Sequence, residues 1–110
     1  MNFLFICSKN QWRSPTAERI FKDYANLNTR SAGTSRQAKK PVSANDIVWA
    51  DKIFVMEHKH KQQIQAMFRQ ELKFKETIVL DISDDYHYMD AELIEILQQS
   101  MQGYLDNLDG

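Results

Sequence analysis

The chain alternates short apolar runs with segments of helical periodicity, and this alternation constrains its fold more than any other feature. Three runs rich in apolar and β-branched or aromatic residues are short enough to be buried strands: residues 2–6, 52–56 and 77–80. Residues 29–33 read as a short second strand that ends in a glycine turn. A segment with helical spacing of apolar side chains follows each of them. Such alternation is typical of parallel strands joined by right-handed crossovers. The sequence therefore predicts an α/β fold of three layers, a four-stranded parallel sheet flanked by helices.

Start signals and apolar stripes indicate where the four helices lie. Ser14 before Pro15 predicts an N-cap and a first helical residue, and Ser43 predicts the N-cap of a second helix. The third helix is predicted over 58–72 and the fourth over 91–108. The side chains expected on the apolar faces of the first three helices are Ala17, Ile20, Phe21 and Tyr24; Ile47, Val48 and Trp49; and Ile64, Met67, Phe68 and Leu72.

Size and composition limit the classes of protein that the chain can represent. Its 110 residues predict a single domain over 1–110. The single cysteine, Cys7, excludes an intrachain disulfide and a cysteine-based metal cluster. A net charge of −1 argues against a general nucleic-acid binder or a polybasic membrane binder.

The chain also has no sequence signal for membranes or export. No apolar run approaches the roughly 20 residues that span a bilayer, and the opening run Phe3–Ile6 is too short for the core of a signal peptide. We therefore expect a cytoplasmic protein that does not bind membranes, in which Cys7 stays a thiol. A monomer is the default expectation.

The segment from Cys7 to Arg13 has the composition of an anion site. Cys7 follows the first strand, at the sheet edge where ligands bind in parallel α/β folds, and Arg13 stands six positions later at the start of a helix. A loop of this length can direct several backbone N–H groups inward, and a helix N-terminus adds its own. Arg13 offers a planar fork that suits two phosphate oxygens. Because the same groups stabilise a thiolate, the segment predicts a sulfur nucleophile aimed at a bound phosphate.

Hydrolysis of a phosphate ester also needs an acid for the leaving oxygen. The candidates are the four carboxylates of one polar loop after the fourth strand, at the same sheet edge as Cys7: Asp81, Asp84, Asp85 and Asp90. Spacing alone does not choose among them, and a merely solvated acidic turn is the alternative interpretation.

Several segments together resemble the low-molecular-weight protein tyrosine phosphatases. The first segment, FICSKNQWRSPTAERIF, contains the Cys-x5-Arg-Ser-Pro motif and the Ala-Glu helix of that family. Residues 30–34 (RSAGT) and 50–56 (ADKIFVM) are similar to its second and third strands, and Asp84-Asp85-Tyr86 stands at its Asp-Pro-Tyr acid loop. The resemblance implies a hydrolase that forms a cysteinyl-phosphate intermediate and needs no metal or other cofactor. A phosphorylated protein or a small phosphomonoester, phosphotyrosine first, is the implied substrate.

The resemblance also implies residue roles. Cys7 is the nucleophile, Arg13 clamps the phosphate and Asp84 is the general acid, while Asn10 braces the loop and Ser14 donates a hydrogen bond to the thiolate. The full set of predicted substrate-binding residues is Ser8, Lys9, Asn10, Gln11, Trp12, Ser14 and Tyr86. Trp12 is expected either in the pocket wall or in the core, and Tyr86 and Tyr88 either flank the substrate or cover the acidic loop.

The chain departs from the family at three positions. Lys9 stands where a glycine is usual, Trp12 where a second cysteine is common, and Asp85 where the proline of the acid loop stands. The departures at Lys9 and Asp85 keep a second function open, a non-catalytic module that binds phosphate or a phosphoprotein. An arsenate reductase with an internal thiol relay needs further cysteines, which the chain lacks. His58 and His60 are expected to be solvated at a helix start rather than to hold a metal.

Overall fold

The computed structural model describes residues 1–108, in which four parallel strands alternate with four helices. In chain order the elements are β1 (Asn2–Cys7), α1 (Arg13–Phe21), β2 (Asn28–Gly33), α2 (Ala44–Trp49), β3 (Lys52–Val55), α3 (His58–Met67), β4 (Glu76–Val79) and α4 (Ala91–Asp106). The strand order is β2-β1-β3-β4, and every pairing is parallel. The predicted α/β architecture is confirmed. Residues 109 and 110 of the predicted domain lie outside the described residues.

The sheet separates two apolar clusters, one against each face. Phe3, Phe5 and Cys7 of β1 face the cluster that includes side chains of α1 and α4, whereas Leu4 and Ile6 face the cluster that includes side chains of α2 and α3. Strand β1 therefore buries side chains on both faces, which explains why it reads as an uninterrupted apolar run rather than an alternating one. This central burial fixes the end of β1, and with it Cys7, in the protein interior.

The helix boundaries differ from the predictions at three places. The predicted N-cap role of Ser14 is wrong, because α1 already begins at Arg13 and the Ser14 hydroxyl contacts Cys7 Sγ instead. Helix α3 ends at Met67 and α4 at Asp106, so both are shorter than predicted. Leu72 is buried beyond the end of α3. The predicted cap at Ser43 is confirmed, with a reciprocal capping box to Asp46.

Three side chains that helical spacing predicts on buried apolar faces are exposed in the structure. Tyr24, Val48 and Met67 are exposed, by 44%, 61% and 51% respectively. Helices α2 and α3 are short and bury only a narrow stripe, so neighbouring apolar positions fall outside it. None of the helices within residues 1–108 is long and apolar enough to cross a membrane.

Candidate active site

The backbone of the Cys7–Arg13 loop is held from outside by the segment that follows β2. The N–H groups of Thr34 and Ser35 donate to the carbonyl oxygens of Cys7 and Ser8, each at 3.0 Å. In a trans peptide the carbonyl and the next N–H point in opposite directions. The N–H groups of Ser8 and Lys9 therefore point away from the outer segment, as expected for a loop that surrounds an anion.

Asn10 ties the middle of this loop to α1 and β2. Its backbone has φ of 55°, a left-handed conformation that asparagine tolerates better than most residues. Its buried side-chain amide donates to Ser14 Oγ at 3.1 Å and to Ser31 Oγ at 2.9 Å. Asn10 thus lies behind the loop rather than on the cleft surface, in the position expected of a brace.

The Cys7 thiol is in direct contact with Ser14. The distance between Cys7 Sγ and Ser14 Oγ is 2.9 Å, and the cysteine is 3% exposed. Ser14 Oγ accepts a hydrogen bond from Asn10, and its own hydrogen has two acceptors within reach, the sulfur at 2.9 Å and the carbonyl oxygen of Ala32 at 3.4 Å. The sulfur therefore lies beside the first turn of α1, to which Ser14 belongs.

Arg13 is buried with one edge of its guanidinium already engaged. Its Nη1 donates to Glu57 Oε2 at 2.9 Å and to the carbonyl oxygen of Ile82 at 2.8 Å. Its Nε lies 3.6 Å from Asp84 Oδ1. Loops that follow β3 and β4 therefore orient the guanidinium, and the remaining Nε and Nη2 donors are suited to binding an anion.

A cleft at the carboxyl edge of the sheet collects most of the predicted site residues. It is lined by Cys7, Ser8, Lys9, Gln11, Trp12, Arg13 and Asp84. Asn10 and Ser14 are buried behind it. Trp12 also contacts the ring of His87, with centroids 4.8 Å apart, so it forms part of the cleft wall rather than of the core.

Asp84 is the acidic residue of the β4–α4 loop that lines the cleft. Asp85 accepts a hydrogen bond from the Ser83 hydroxyl at 2.8 Å, and Asp90 caps α4. Asp81 is exposed in a left-handed turn with φ of 59°. Of the four candidate acids, only Asp84 is therefore among the residues that line the cleft, whereas the spacing in the sequence did not distinguish it from the other three.

Tyr86 is predicted either to flank the substrate or to cover the acidic loop. Its side chain packs against the apolar cluster formed by α1 and α4 and is not among the residues that line the cleft. Partial burial, followed by the neighbouring carboxylates of Glu92, Asp85 and Asp90, raises the pKa of its phenol. Tyr88 lines a neighbouring groove together with Gln11, Trp12 and two lysines of the 34–41 segment, Lys39 and Lys40.

The sequence analysis missed Glu57 and misplaced His60. Glu57 follows β3 and is the N-cap of α3, and its carboxylate binds Arg13. Burial acts to raise the pKa of Glu57, but the hydrogen bond and charge of Arg13 outweigh it, and the net pKa is lowered. His60, expected to be solvated, is completely buried. The sequence signal that could have identified both residues is the Glu-x-x-His spacing directly after the third strand, at the sheet edge where the site was expected.

The surroundings of His60 disfavour its charged form. Burial, followed by the positive charge of Arg13, lowers the pKa of His60 to about 4. Within residues 1–108 the structure has no group of three or more His, Cys, Asp or Glu side chains arranged to hold a metal ion. The arrangement is suited to holding a tetrahedral oxyanion between the loop amides and Arg13, with a thiol beneath it and a carboxylate beside it.

Comparison with known proteins agrees with this geometry. A family model for low molecular weight phosphotyrosine protein phosphatases matches residues 2–43. A protein-arginine-phosphatase from Bacillus subtilis (strain 168) is 30% identical, over 62% of this chain and 63% of its own length. The match thus spans less than two thirds of that relative.

Solved structures extend the similarity to nearly the whole chain. The arginine phosphatase YwlE of Bacillus subtilis, in a Cys-to-Ser mutant whose active-site serine is phosphorylated, has a TM-score of 0.71 at 24% identity, covering 97% of this chain and 98% of its own. SP-PTP, a low molecular weight protein tyrosine phosphatase from Streptococcus pyogenes, has a TM-score of 0.78 at 18% identity, covering 97% and 92%. The family model thus covers β1, the cysteine loop, α1 and β2, and the solved structures have the same fold over the rest, so the chain is similar to the low molecular weight phosphotyrosine protein phosphatases in its cysteine loop and in its fold.

Proposed function

We propose that the chain is a phosphatase that hydrolyses phosphorylated proteins or small phosphomonoesters through a cysteinyl-phosphate intermediate. One observation carries the proposal: Cys7 and Arg13, at the two ends of the cysteine loop, line a single cleft with Asp84 of the β4–α4 loop. A nucleophile, an oxyanion clamp and an acid are the three groups that the reaction requires.

The first step transfers the phosphoryl group to the enzyme. Cys7 attacks phosphorus in line, so an S–P bond forms while the P–O bond to the leaving group breaks. Arg13 and the loop amides bind the equatorial oxygens, whose charge they stabilise. Asp84 gives its proton to the departing oxygen, which leaves as an alcohol or a phenol.

The second step releases phosphate. Water attacks phosphorus on the face that the alcohol has left, and the now ionised Asp84 accepts its proton. The S–P bond breaks, inorganic phosphate forms and Cys7 returns to the thiolate. The hydrogen bond from Ser14 stabilises the sulfur both as attacking group and as leaving group.

Phosphotyrosine is the substrate that the match to the family model favours. Phosphoarginine is the second candidate, because the relative that is 30% identical is a protein-arginine-phosphatase. For that substrate the first step breaks a P–N bond, and Asp84 protonates the departing nitrogen. The non-enzymatic alternative is a module that binds phosphate or phosphoproteins without hydrolysing them.

The deciding experiment compares wild type with Cys7→Ser on three substrates: p-nitrophenyl phosphate, a phosphotyrosine peptide and a phosphoarginine peptide of otherwise identical sequence. We expect wild type to release phosphate from p-nitrophenyl phosphate and from one peptide in preference, and Cys7→Ser to release none. Peptide binding by both proteins without any phosphate release supports the binding module instead. Inhibition by vanadate provides an independent check of phosphate-like binding.

We also propose that the protein works in the cytoplasm. A nucleophilic thiol is preserved in a reducing compartment, and the chain holds no second cysteine that could protect Cys7 as a disulfide. Fractionation of cells that express the full chain tests this location.

A further inference from the structure

His60 is a buried titratable group that the proposed reaction does not use. Its Nδ1 accepts a hydrogen bond from the backbone N–H of Glu57 at 3.0 Å, and its Nε2 lies 2.8 Å from Ser8 Oγ. A ring nitrogen that accepts an N–H hydrogen bond carries no proton itself. The proton of the neutral ring therefore resides on Nε2, and Nε2–H donates to the Ser8 hydroxyl.

This donation determines what the Ser8 hydroxyl can do. Because the oxygen of Ser8 accepts from His60, its own hydrogen is available to an acceptor elsewhere. Ser8 lines the cleft beside Cys7 and Arg13. We propose that His60 is a positioning residue that locks the Ser8 side chain so that its hydroxyl donates a hydrogen bond to an oxygen of the phosphate bound in this cleft. The inference rests on the proposed function in that phosphate is the bound group.

The start of α3 then orients two of the side-chain donors that line the cleft, those of Arg13 and Ser8. Glu57 holds Arg13 through its carboxylate and orients the His60 ring through its backbone N–H, while His60 holds Ser8. The charged groups near the imidazole are Arg13, Glu57, Lys59 and Asp84. A serine side chain has three rotamers, and a buried partner that selects one removes the cost of ordering it when phosphate binds.

Matched variants separate the two hydrogen bonds of the ring. His60→Asn keeps an oxygen near the place of Nδ1, where it can accept from Glu57, but loses the donor to Ser8. His60→Gln has a donor at the reach of Nε2 and an oxygen suited to a capping box. His58→Asn, on the exposed side of the same helical turn, is the control.

The readout is the affinity for inorganic phosphate, measured by calorimetry and by protection of Cys7 from iodoacetate. We expect His60→Asn and Ser8→Ala each to weaken phosphate binding about tenfold, the size of one hydrogen bond to a charged group. The double variant should be no weaker than either single one, His60→Gln should recover most of the affinity, and His58→Asn should match wild type.

Three results would overturn the inference. The first is additive loss in the double variant. The second is unchanged phosphate affinity in a folded His60→Asn protein whose melting temperature alone has dropped. The third is a ¹⁵N spectrum of wild type that shows the His60 proton on Nδ1. None of these measurements needs turnover, so a chain that binds phosphate without hydrolysing its esters refutes the proposed function while leaving this inference testable.

Discussion

Arg13 Nη1 donates to Glu57 Oε2 at 2.9 Å, and this contact joins the end of the cysteine loop to the start of α3. Arg13 is only 2% exposed, so water does little to stabilise its charge. The carboxylates of Glu57 and Asp84 and the carbonyl oxygen of Ile82 stabilise it instead. A buried cation that loses its hydrogen-bonded anion is costly, whereas a surface pair contributes little. Glu57 therefore couples the stability of the protein to the orientation of its guanidinium.

Replacing Glu57 with Ala should lower both stability and phosphate affinity. We expect a loss of about 1.5–3 kcal/mol in the free energy of unfolding, measured by urea denaturation, because a hydrogen bond to a charged group is removed. Glu76→Ala is the control, since Glu76 pairs with Lys52 at 3.1 Å on the surface. A loss of equal size in both variants contradicts the special role of Glu57.

Arg13→Lys should lose most activity although the charge is kept. An ammonium group cannot maintain contact with Glu57 and Ile82 through one nitrogen while presenting a planar edge to phosphate. Steady-state rates with p-nitrophenyl phosphate and the inhibition constant of inorganic phosphate provide the measurement. Equal turnover of the two proteins means that Arg13 is not the clamp.

Asp84→Asn should slow hydrolysis by about 10²–10⁴-fold, the usual effect of losing a general acid. The effect should be larger for a phosphotyrosine peptide than for p-nitrophenyl phosphate, whose leaving group needs less protonation. The basic limb of the pH–rate profile should flatten as well. Asp85→Asn is the matched control, because the wild-type carboxylate of Asp85 already accepts a hydrogen bond from the Ser83 hydroxyl. If Asp85→Asn alone shows this signature, the acid has been assigned one residue too early.

Gly33→Ala should distort the cysteine loop. A Cβ atom at position 33 would lie 2.5 Å from Ala38 Cβ and 2.6 Å from the carbonyl oxygen of Ser8. Both distances are too short for the backbone to remain in place, so the loop and the 34–41 segment must separate. We expect destabilisation of about 1–3 kcal/mol, as for overpacking, and weaker phosphate binding. Gly103→Ala, in α4 with open space around it, should be neutral or stabilising.

Stability should fall as the pH drops below about 6.5. The pKa of His60 is lowered to about 4 in the folded chain, so between these values the unfolded chain binds the proton more readily and is favoured. The contribution of neutral His60 to the free energy of unfolding is complete above pH 6.5, and about 2 kcal/mol of that contribution is lost by pH 5. Thermal melts of wild type and His60→Gln across this range should show a shallower pH dependence in the variant. Parallel curves contradict the assignment to His60.

Local signals in the sequence were sufficient for the architecture. Continuous apolar runs mark strands that are buried on both faces, as β1 and β3 show, and the alternation with helices restricts the strands to a parallel sheet. Ser43 was predictable as a cap because a capping box involves residues only three positions apart. The cysteine loop was recognisable for the same reason, since all its members lie within one short segment.

Contacts between distant segments required the tertiary structure. Ser14 met the local criteria for an N-cap, but its hydroxyl contacts Cys7, a residue that the end of β1 holds beside α1. Asp84 and Asp85 are adjacent and chemically identical, and only the path of the β4–α4 loop places the first in the cleft. Glu57 and His60 act on residues 44 and 52 positions away, across strand ends that neighbour each other only in the folded sheet. The sequence thus determined the strands, the helices and the chemistry of one loop, whereas packing of the sheet decided which side chains converge on it.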